Sequence, residues 1–348
     1  SPNGSISDQN SANILMLKKK LSLPAAWDSK VLKDEEWVVQ ISQGQNDELV
    51  QAVSKLQSKG LDWEHSVLED YELPRWTDEI AHIQQRLEGG LGFLLLRGLS
   101  IEGIDLETAK QMFWGIGLLL GYPEPQDASG KLMHHVKDTG KDLTHSEIRF
   151  YQTNLPLSFH NDGADVFMLM CYRSADRGGL SKIVSAVSVF NTILERRPEL
   201  AEVLQKPFFF DTRGQQLPDT PPFQEVPVFI HYRNHLHVLY KREYIELAQR
   251  FPEVPELSKI QKEALDLMDE VCEELALSFV IENGDIVIAN NYDMLHARTA
   301  FEDEASRPSM RHMIRLWLSL ENGRSLPTEF AMTREFSHSY RRRLGLVL

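Results

Sequence analysis

The 348-residue sequence holds two cysteines, Cys171 and Cys272. Two cannot build a disulfide framework, and such sparing use suits a reducing compartment. No apolar run approaches the roughly 18 residues that a membrane helix needs. The opening Ser1-Pro2-Asn3-Gly4-Ser5 lacks the charged start and apolar centre of a signal peptide. A cytoplasmic protein without a membrane partner is therefore expected. Basic residues are also in short supply: 37 Lys and Arg stand against 51 Asp and Glu, a formal net charge of -14. Nucleic-acid binding needs clustered cations for the phosphates, so no nucleic-acid partner is expected. The one dense basic run, Arg341-Arg342-Arg343, reads as a solvated tail. A Gly-x-x-x-x-Gly-Lys phosphate loop and a His-Glu-x-x-His zinc motif are both missing. Gly115, Gly117 and Gly121 have the wrong spacing for a dinucleotide fingerprint. They lie in a helical apolar run and read as points of close helix packing.

What is present is a chain with 42% hydrophobic residues, enough to bury a sizeable core. Residues 1–21 read as a disordered tail and 22–348 as a single domain. Apolar periodicity predicts helices over 46–60, 77–88, 106–120 and 255–277. Short strand-like runs are expected at 92–98, 166–172, 181–187, 208–211, 226–232 and 236–240. Two more follow, one after Gly284-Asp285 and one at 312–320. The stretch 123–156 is rich in Pro, Gly, Asp, Ser and Thr and reads as a long loop. Many short strands with helices grouped near the N-terminus give an α+β, β-rich fold with helices outside the sheet core.

Three segments carry chemistry. In Phe159-His160-Asn161-Asp162-Gly163, an extended backbone puts His160 and Asp162 on one face, where they can grip one ion. An imidazole and a carboxylate suit Fe(II), Mn(II) or Zn(II). Far downstream, His296 stands at the end of a buried strand, where a third ligand can meet the first two. Then Arg311, Met313, Arg315 and Trp317 alternate onto one strand face. Two arginines on an apolar face call for an anionic partner, and a guanidinium fork fits a carboxylate. Two imidazoles and one carboxylate leave coordination positions open for a 2-oxo acid and O2.

These residues resemble the TauD/TfdA family of Fe(II)- and 2-oxoglutarate-dependent dioxygenases over about Gly92 to Leu320. Gly92-Phe-Leu-Leu-Leu-Arg97-Gly98 is similar to the family's early strand, Phe159–Asp162 to its His-x-Asp motif and Gly178-Gly179-Leu180-Ser181 to its Gly-Gly-x-Ser/Thr turn. Gly284-Asp285, His296–Phe301 and Arg311–Leu318 are similar to its C-terminal signature. The resemblance implies a double-stranded β-helix, a distorted jelly roll, with His160, Asp162 and His296 as Fe(II) ligands. It implies that Arg315 pairs with the far carboxylate of 2-oxoglutarate, that Ser181 donates its hydroxyl to that carboxylate, and that Arg311 stands near the metal-binding end. The implied activity oxidises an unactivated C–H bond of a small organic substrate with release of succinate and CO2. Hydroxylation is the default outcome, with desaturation or cyclisation open.

Other residues admit a functional and a blander role. Phe150, Tyr151, Asp165, Asp211 and Arg213 are candidates for the substrate wall, with core packing or surface turns as the competing reading. His231, His235 and His237 form a rival metal cluster that lacks a nearby carboxylate and reads as structural. His134, His135 and His145 fall in the long loop and read as solvent-facing. Two other functions stay open on the same fold: a metal-dependent hydrolase or isomerase, and a non-catalytic small-molecule binding protein. A homo-oligomer is compatible with the sequence.

Overall fold

The computed structural model describes residues 16–137, 157–174, 177–178, 180–298, 301–302 and 311–346. Two sheets face each other. The larger runs in the order Val38–Gln40, Phe93–Arg97, Ile286–Asn290, Val166–Arg173, His312–Ser319 and Tyr122–Pro123, with Met133–Lys137 also paired to His312–Ser319. The smaller runs Leu277–Phe279, Ser181–Ser185, Met294–Arg298 and Leu157–His160. Apart from the parallel pair at the Val38–Gln40 edge, the pairings within these sheets are antiparallel. This is the strand-rich jelly-roll arrangement expected, with helices outside it.

Side-chain alternation explains the layers. Leu94, Leu96, Met168, Met170, Ile314, Leu316 and Leu318 point out from the larger sheet, into a core shared with Leu49, Trp76, Phe113 and Ile116 of the N-terminal helices. Phe93, Leu95, Phe167, Cys171, Met313 and Trp317 point the other way and meet Ile183 and Met294 of the smaller sheet. Period-2 alternation thus gives the inner strands Phe93–Arg97, Ile286–Asn290, Val166–Arg173 and His312–Ser319 two buried faces. Helix Leu106–Leu120 lies close against the sheet because Gly117 faces Leu316. A Cβ at Gly117 would sit 2.7 Å from Leu316 Cδ1, as the glycine spacing predicts. A third core lies under the helices Ala186–Arg196, Pro198–Leu204 and Lys259–Leu275.

Several boundaries differ from expectation. The first long helix begins at Gln43, because Ser42 caps it and Gln45 closes a capping box. Asn46, the first residue of the expected helix, is buried and bridges to Gly98 O and Ser100 N. Pro74 starts the next helix at its first turn, where its missing N–H costs nothing. Residues 16–21, read with the tail, are held in place: Gln205 bonds both backbone groups of Leu17, and Asn191 both of Leu21. Met133–Lys137 is a strand inside the stretch read as a loop. Arg342 and Arg343 are not solvated. Arg342 pairs with the buried Glu124, and Arg343 donates to Asp165 at 2.7 Å. Cys171 and Cys272 are buried free thiols. Among the described residues no helix is long and apolar enough to cross a membrane.

Candidate active site

The Leu157–His160 strand ends at His160, Asp162 follows two residues on, and the chain then bends over 163–165. At Gly163 a Cβ would meet the Trp317 ring at 2.7 Å and Glu335 O at 2.9 Å, so a side chain is excluded there. Two buried amides fix the turn. Asn161 Nδ2 donates to Val238 O and Asn291 O at 2.8 and 2.7 Å, and Asn161 Oδ1 accepts from Tyr240 N. Asn291 Oδ1 accepts from Asp162 N, while its Nδ2 donates to Gly163 O and Ala164 O.

His296 lies on the neighbouring strand with His160 as its backbone partner across the pairing. The two imidazole centroids are 4.3 Å apart. Ligand atoms of His160, Asp162 and His296 all lie within 4.8 Å of one another, and among the described residues this is the group able to hold an ion. His296 Nε2 is 3.4 Å from Asp162 Oδ2, and His160 Nε2 is 3.9 Å from Asp162 Oδ1. His160 Nδ1 is 2.8 Å from Ser158 O. Donation of Nδ1–H to that carbonyl fixes the tautomer and leaves the Nε2 lone pair facing the carboxylate.

The electrostatics match metal binding. Burial, followed by the adjacent His296 imidazole, pushes the His160 ring down to about 3, with Lys241 adding to the effect. Burial opposes charge on Asp162, but Arg315 and His296 outweigh it and hold the carboxyl well below its ordinary range. A neutral imidazole and an ionised carboxylate are the forms that take a metal. Among the described residues Asp162 Oδ2, which is buried, finds no hydrogen-bond partner, an acceptor that a cation would satisfy. Two imidazoles and one carboxylate on one side of an ion are the donor set of a non-haem Fe(II) site.

Arg315 shares a strand face with Met313 and Trp317, as the alternation predicts, and Arg311 immediately precedes the strand. Arg315 Nη1 is 3.8 Å from Asp162 Oδ1. Its guanidinium is braced by Gln126 Oε1 at 2.8 Å and lies 5.1 Å from the Trp317 ring centroid. Gln126 also donates to Arg315 O. Arg311 is four residues away and 6% exposed, near the level of Cys171, the backbone partner of Met313. Ser181 shares its strand face with Ile183, which packs between the sheets, and Ile183 pairs with His296.

The remaining candidates separate. Asp165 is 1% exposed, and its oxygens accept from Tyr292 Oη, Leu320 N and Arg343. This carboxylate ties strands together and does not line an open face. Asp211 accepts from Arg213 N and pairs with Arg250 at 2.9 Å, so it shapes a turn. Arg213 leaves that turn with a left-handed φ of 55°, and its guanidinium lies 5.3 Å from the Tyr244 ring. Phe150, Tyr151 and His145 lie outside the described residues. His134 is not solvent-facing: it sits on a strand opposite Arg315 and meets Asp127 at 2.9 Å. His135 Nδ1 lies 2.7 Å from His312 Nε2. His237 is fully buried against Tyr292 and Phe330, a structural position. Asn161, Asn291, Gln126 and Lys241 were missed in the sequence. Their roles depend on partners far along the chain, and no local pattern marks them.

A family model described as taurine catabolism dioxygenase TauD, TfdA family matches residues 53–317. FR-33289 synthase of Streptomyces rubellomurinus (strain ATCC 31215) is 31% identical over 328 residues, 92% of this chain and 96% of its own. The chain belongs to the TauD/TfdA family. A second relative, the taurine hydroxylase-like protein SAT17 of Stachybotrys chartarum (strain CBS 109288 / IBT 7711), is 28% identical over 311 residues, 86% of this chain and 80% of its own. The fold is shared with solved oxygenases. An asparagine oxygenase with Fe(II), 3-hydroxyasparagine and succinate superposes with a TM-score of 0.63 at 16% identity, covering 81% of this chain and 94% of that one. The non-haem iron oxygenase OrfP with Fe and α-ketoglutaric acid gives 0.60 at 15%, covering 82% and 94%. As a TauD/TfdA member, the chain is a non-haem iron dioxygenase that uses 2-oxoglutarate and O2 and acts on a small molecule.

Proposed function

We propose that His160, Asp162 and His296 hold the Fe(II), and that Arg311 with Ser181 anchors the far carboxylate of 2-oxoglutarate while Arg315 stands at the metal end. One observation carries this reading: three donor groups lie within 4.8 Å of one another, with a guanidinium 3.8 Å from the carboxylate among them. The division between the arginines reverses the one the resemblance implies, for a reason of length. Arg315 stands four positions beyond Arg311, about 13 Å of extended chain. The two carboxyl carbons of a five-carbon diacid are only about 5 Å apart. An arginine touching Asp162 is too near the metal to hold the far end. Ser181 lies two residues, about 7 Å, from the level of His296, which suits the far end.

When bound, iron with 2-oxoglutarate supplies the oxidising power for a C–H bond and releases succinate and CO2. The chain's own residues orient and enclose. Asn161 and Asn291 hold the turn that aims Asp162. Ser158 O fixes the His160 tautomer. Trp317 and Phe167 wall the site, and Phe167 lies 4.3 Å from the His296 ring centroid, which keeps water from that side. The solved neighbours carry asparagine and arginine derivatives, which supports a small polar substrate here. Hydroxylation is the simplest outcome. Cytoplasmic placement is part of the same proposal, supported by the two unpaired thiols.

Anaerobic addition of Fe(II) and 2-oxoglutarate tests the reading. A weak visible charge-transfer band is expected in the native protein and not in His160→Ala. Equal spectra from both proteins would remove the proposal. Succinate formed in step with an oxidised product separates it from a hydrolase or a binding protein.

A further inference from the structure

Beyond residue 317, where the family match ends, the chain returns to the bend that follows Asp162. A short 3-10 turn spans Thr328–Met332 and a helix spans Ser337–Arg343. Between them Glu335 turns its backbone oxygen to the bend and accepts from Ala164 N at 2.7 Å. The same oxygen helps to exclude a Cβ at Gly163, which would lie 2.9 Å from it. Ala164 is held at a left-handed φ of 63°. A residue with a Cβ keeps that conformation only where its surroundings impose it. One position on, Asp165 takes the Arg343 guanidinium at 2.7 Å, and Arg343 Nε donates to Arg324 O at 2.8 Å. The residues directly after the proposed ligand Asp162 are thus held at two points by one segment.

That segment is itself seated on the core. Phe336 is fully buried, its ring centroid 4.9 Å from Tyr292 and 4.6 Å from Phe330. Tyr292 belongs to the stretch that leads to His296, so the segment meets both pieces of chain that carry ligands. The buried Glu335 carboxylate accepts from Gln224 Nε2 at 2.7 Å. The Ser339 and Ser319 hydroxyls meet at 2.7 Å, and Arg342 pairs with the buried Glu124. A metal ligand has to be placed to within about 0.5 Å. Contacts one shell out from the ligands govern metal affinity by about ten- to a hundredfold. Asn291 holds the Asp162 side of the bend, and Glu335 with Arg343 holds the far side.

We propose that Arg343 and the backbone of Glu335 position Asp162 for the metal, and that the segment 328–343 is a clasp whose docking and metal occupancy favour one another. The preference runs both ways, because a coupling free energy between two sites is reciprocal. The inference rests on the reading of His160, Asp162 and His296 as the metal site.

Limited trypsin digestion of the full chain, with and without Mn(II), reads the clasp. Trypsin cuts after Arg341, Arg342 or Arg343 when the segment lifts, and its rate tracks the lifted fraction when opening is fast. The exposed Lys18, Lys19 and Lys20 are the internal control for any effect of the metal on the protease. Saturating Mn(II) should slow cutting at Arg341–Arg343 by about tenfold relative to cutting at Lys18–Lys20. Arg343→Met should raise the Kd for Mn(II), read from the EPR signal of the free ion, by about tenfold. Arg343→Lys, which keeps a charge for Asp165, should hold it within about threefold of wild type. Wild type that binds Mn(II) with an unchanged cutting ratio overturns the clasp, without recourse to any variant. So does folded Arg343→Met with the wild-type Kd. Wild type that leaves all Mn(II) free, or His160→Ala that binds it as tightly, removes the metal reading and the clasp with it.

Discussion

The side-chain amide of Asn161 donates to the backbone carbonyl of Asn291 at 2.7 Å, although the two residues are 130 positions apart. Asn291 returns the contact by accepting from Asp162 N and donating to Gly163 O and Ala164 O. The pair joins the turn that carries two proposed ligands to the segment that leads to the third. Asn291→Ala strands three buried backbone groups. It should lower unfolding free energy by about 2–4 kcal/mol and Fe(II) affinity by about ten- to a hundredfold. Urea unfolding and anaerobic Fe(II) titration measure the two effects. Wild-type metal affinity in a folded variant would show that the amide pair does not aim Asp162.

The two arginines are separable by spectrum and saturation. Arg311→Met should raise the 2-oxoglutarate concentration needed for half-saturation by about thirtyfold or more, while the charge-transfer band stays at its wild-type wavelength. Arg315→Met should move that band, because its guanidinium stands 3.8 Å from Asp162. Ser181→Ala should resemble Arg311→Met in kind with a smaller effect, about five- to tenfold. A shifted band in Arg311→Met and an unshifted one in Arg315→Met would restore the opposite assignment.

Asp165 offers a test of structure against chemistry. Its carboxylate receives Tyr292, Leu320 N and Arg343. Asp165→Asn breaks a buried ion pair and should cost about 3 kcal/mol. The KM for the small-molecule substrate should be unchanged below the melting transition. A large KM change with little loss of stability would return Asp165 to the substrate wall.

Acid should loosen the metal-free protein in a defined window. Burial, with Arg324 adding to it, holds the His237 ring well below its ordinary value. The unfolded chain takes up this proton near pH 6.5 while the fold refuses it. Unfolding therefore binds protons below that pH, and stability rises with pH and falls as pH drops under about 6.5. Each such group contributes about 1.4 kcal/mol per pH unit once the unfolded histidine is protonated. Thermal melts between pH 7.5 and 5 should show a flatter slope in His237→Leu than in wild type. Parallel slopes would mean that the ring is protonated in the fold.

The parts legible in the sequence are those whose geometry is local. The spacing of His160 and Asp162 needs only an extended backbone, and the alternation of Arg311, Met313, Arg315 and Trp317 needs only a strand. His296 was legible through the buried strand before it. What escaped depends on distance through space. Lys241 meets His160 across a bridge from 81 positions away, and Gln126 reaches Arg315 from 189. Asp165 misled because it follows the metal motif in sequence but turns into the core. For the arginines, alternation gives a side of the strand and not a depth, so spacing alone does not say which of them meets the metal end. Met133–Lys137 was hidden among Pro, Gly and Asp because an edge strand can form from pairing alone, with little help from its own composition.

The His312–Ser319 strand carries Ile314, Leu316 and Leu318 on one side and Met313, Arg315 and Trp317 on the other. A slip of one residue would drive a guanidinium into oil and turn a leucine toward iron. Such a strand leaves little room for gradual change, so enzymes built on it diversify elsewhere. A laboratory library aimed at new substrates would hold 311–319 constant and vary the connections between strands, where a change of side chain does not shift the register of a sheet.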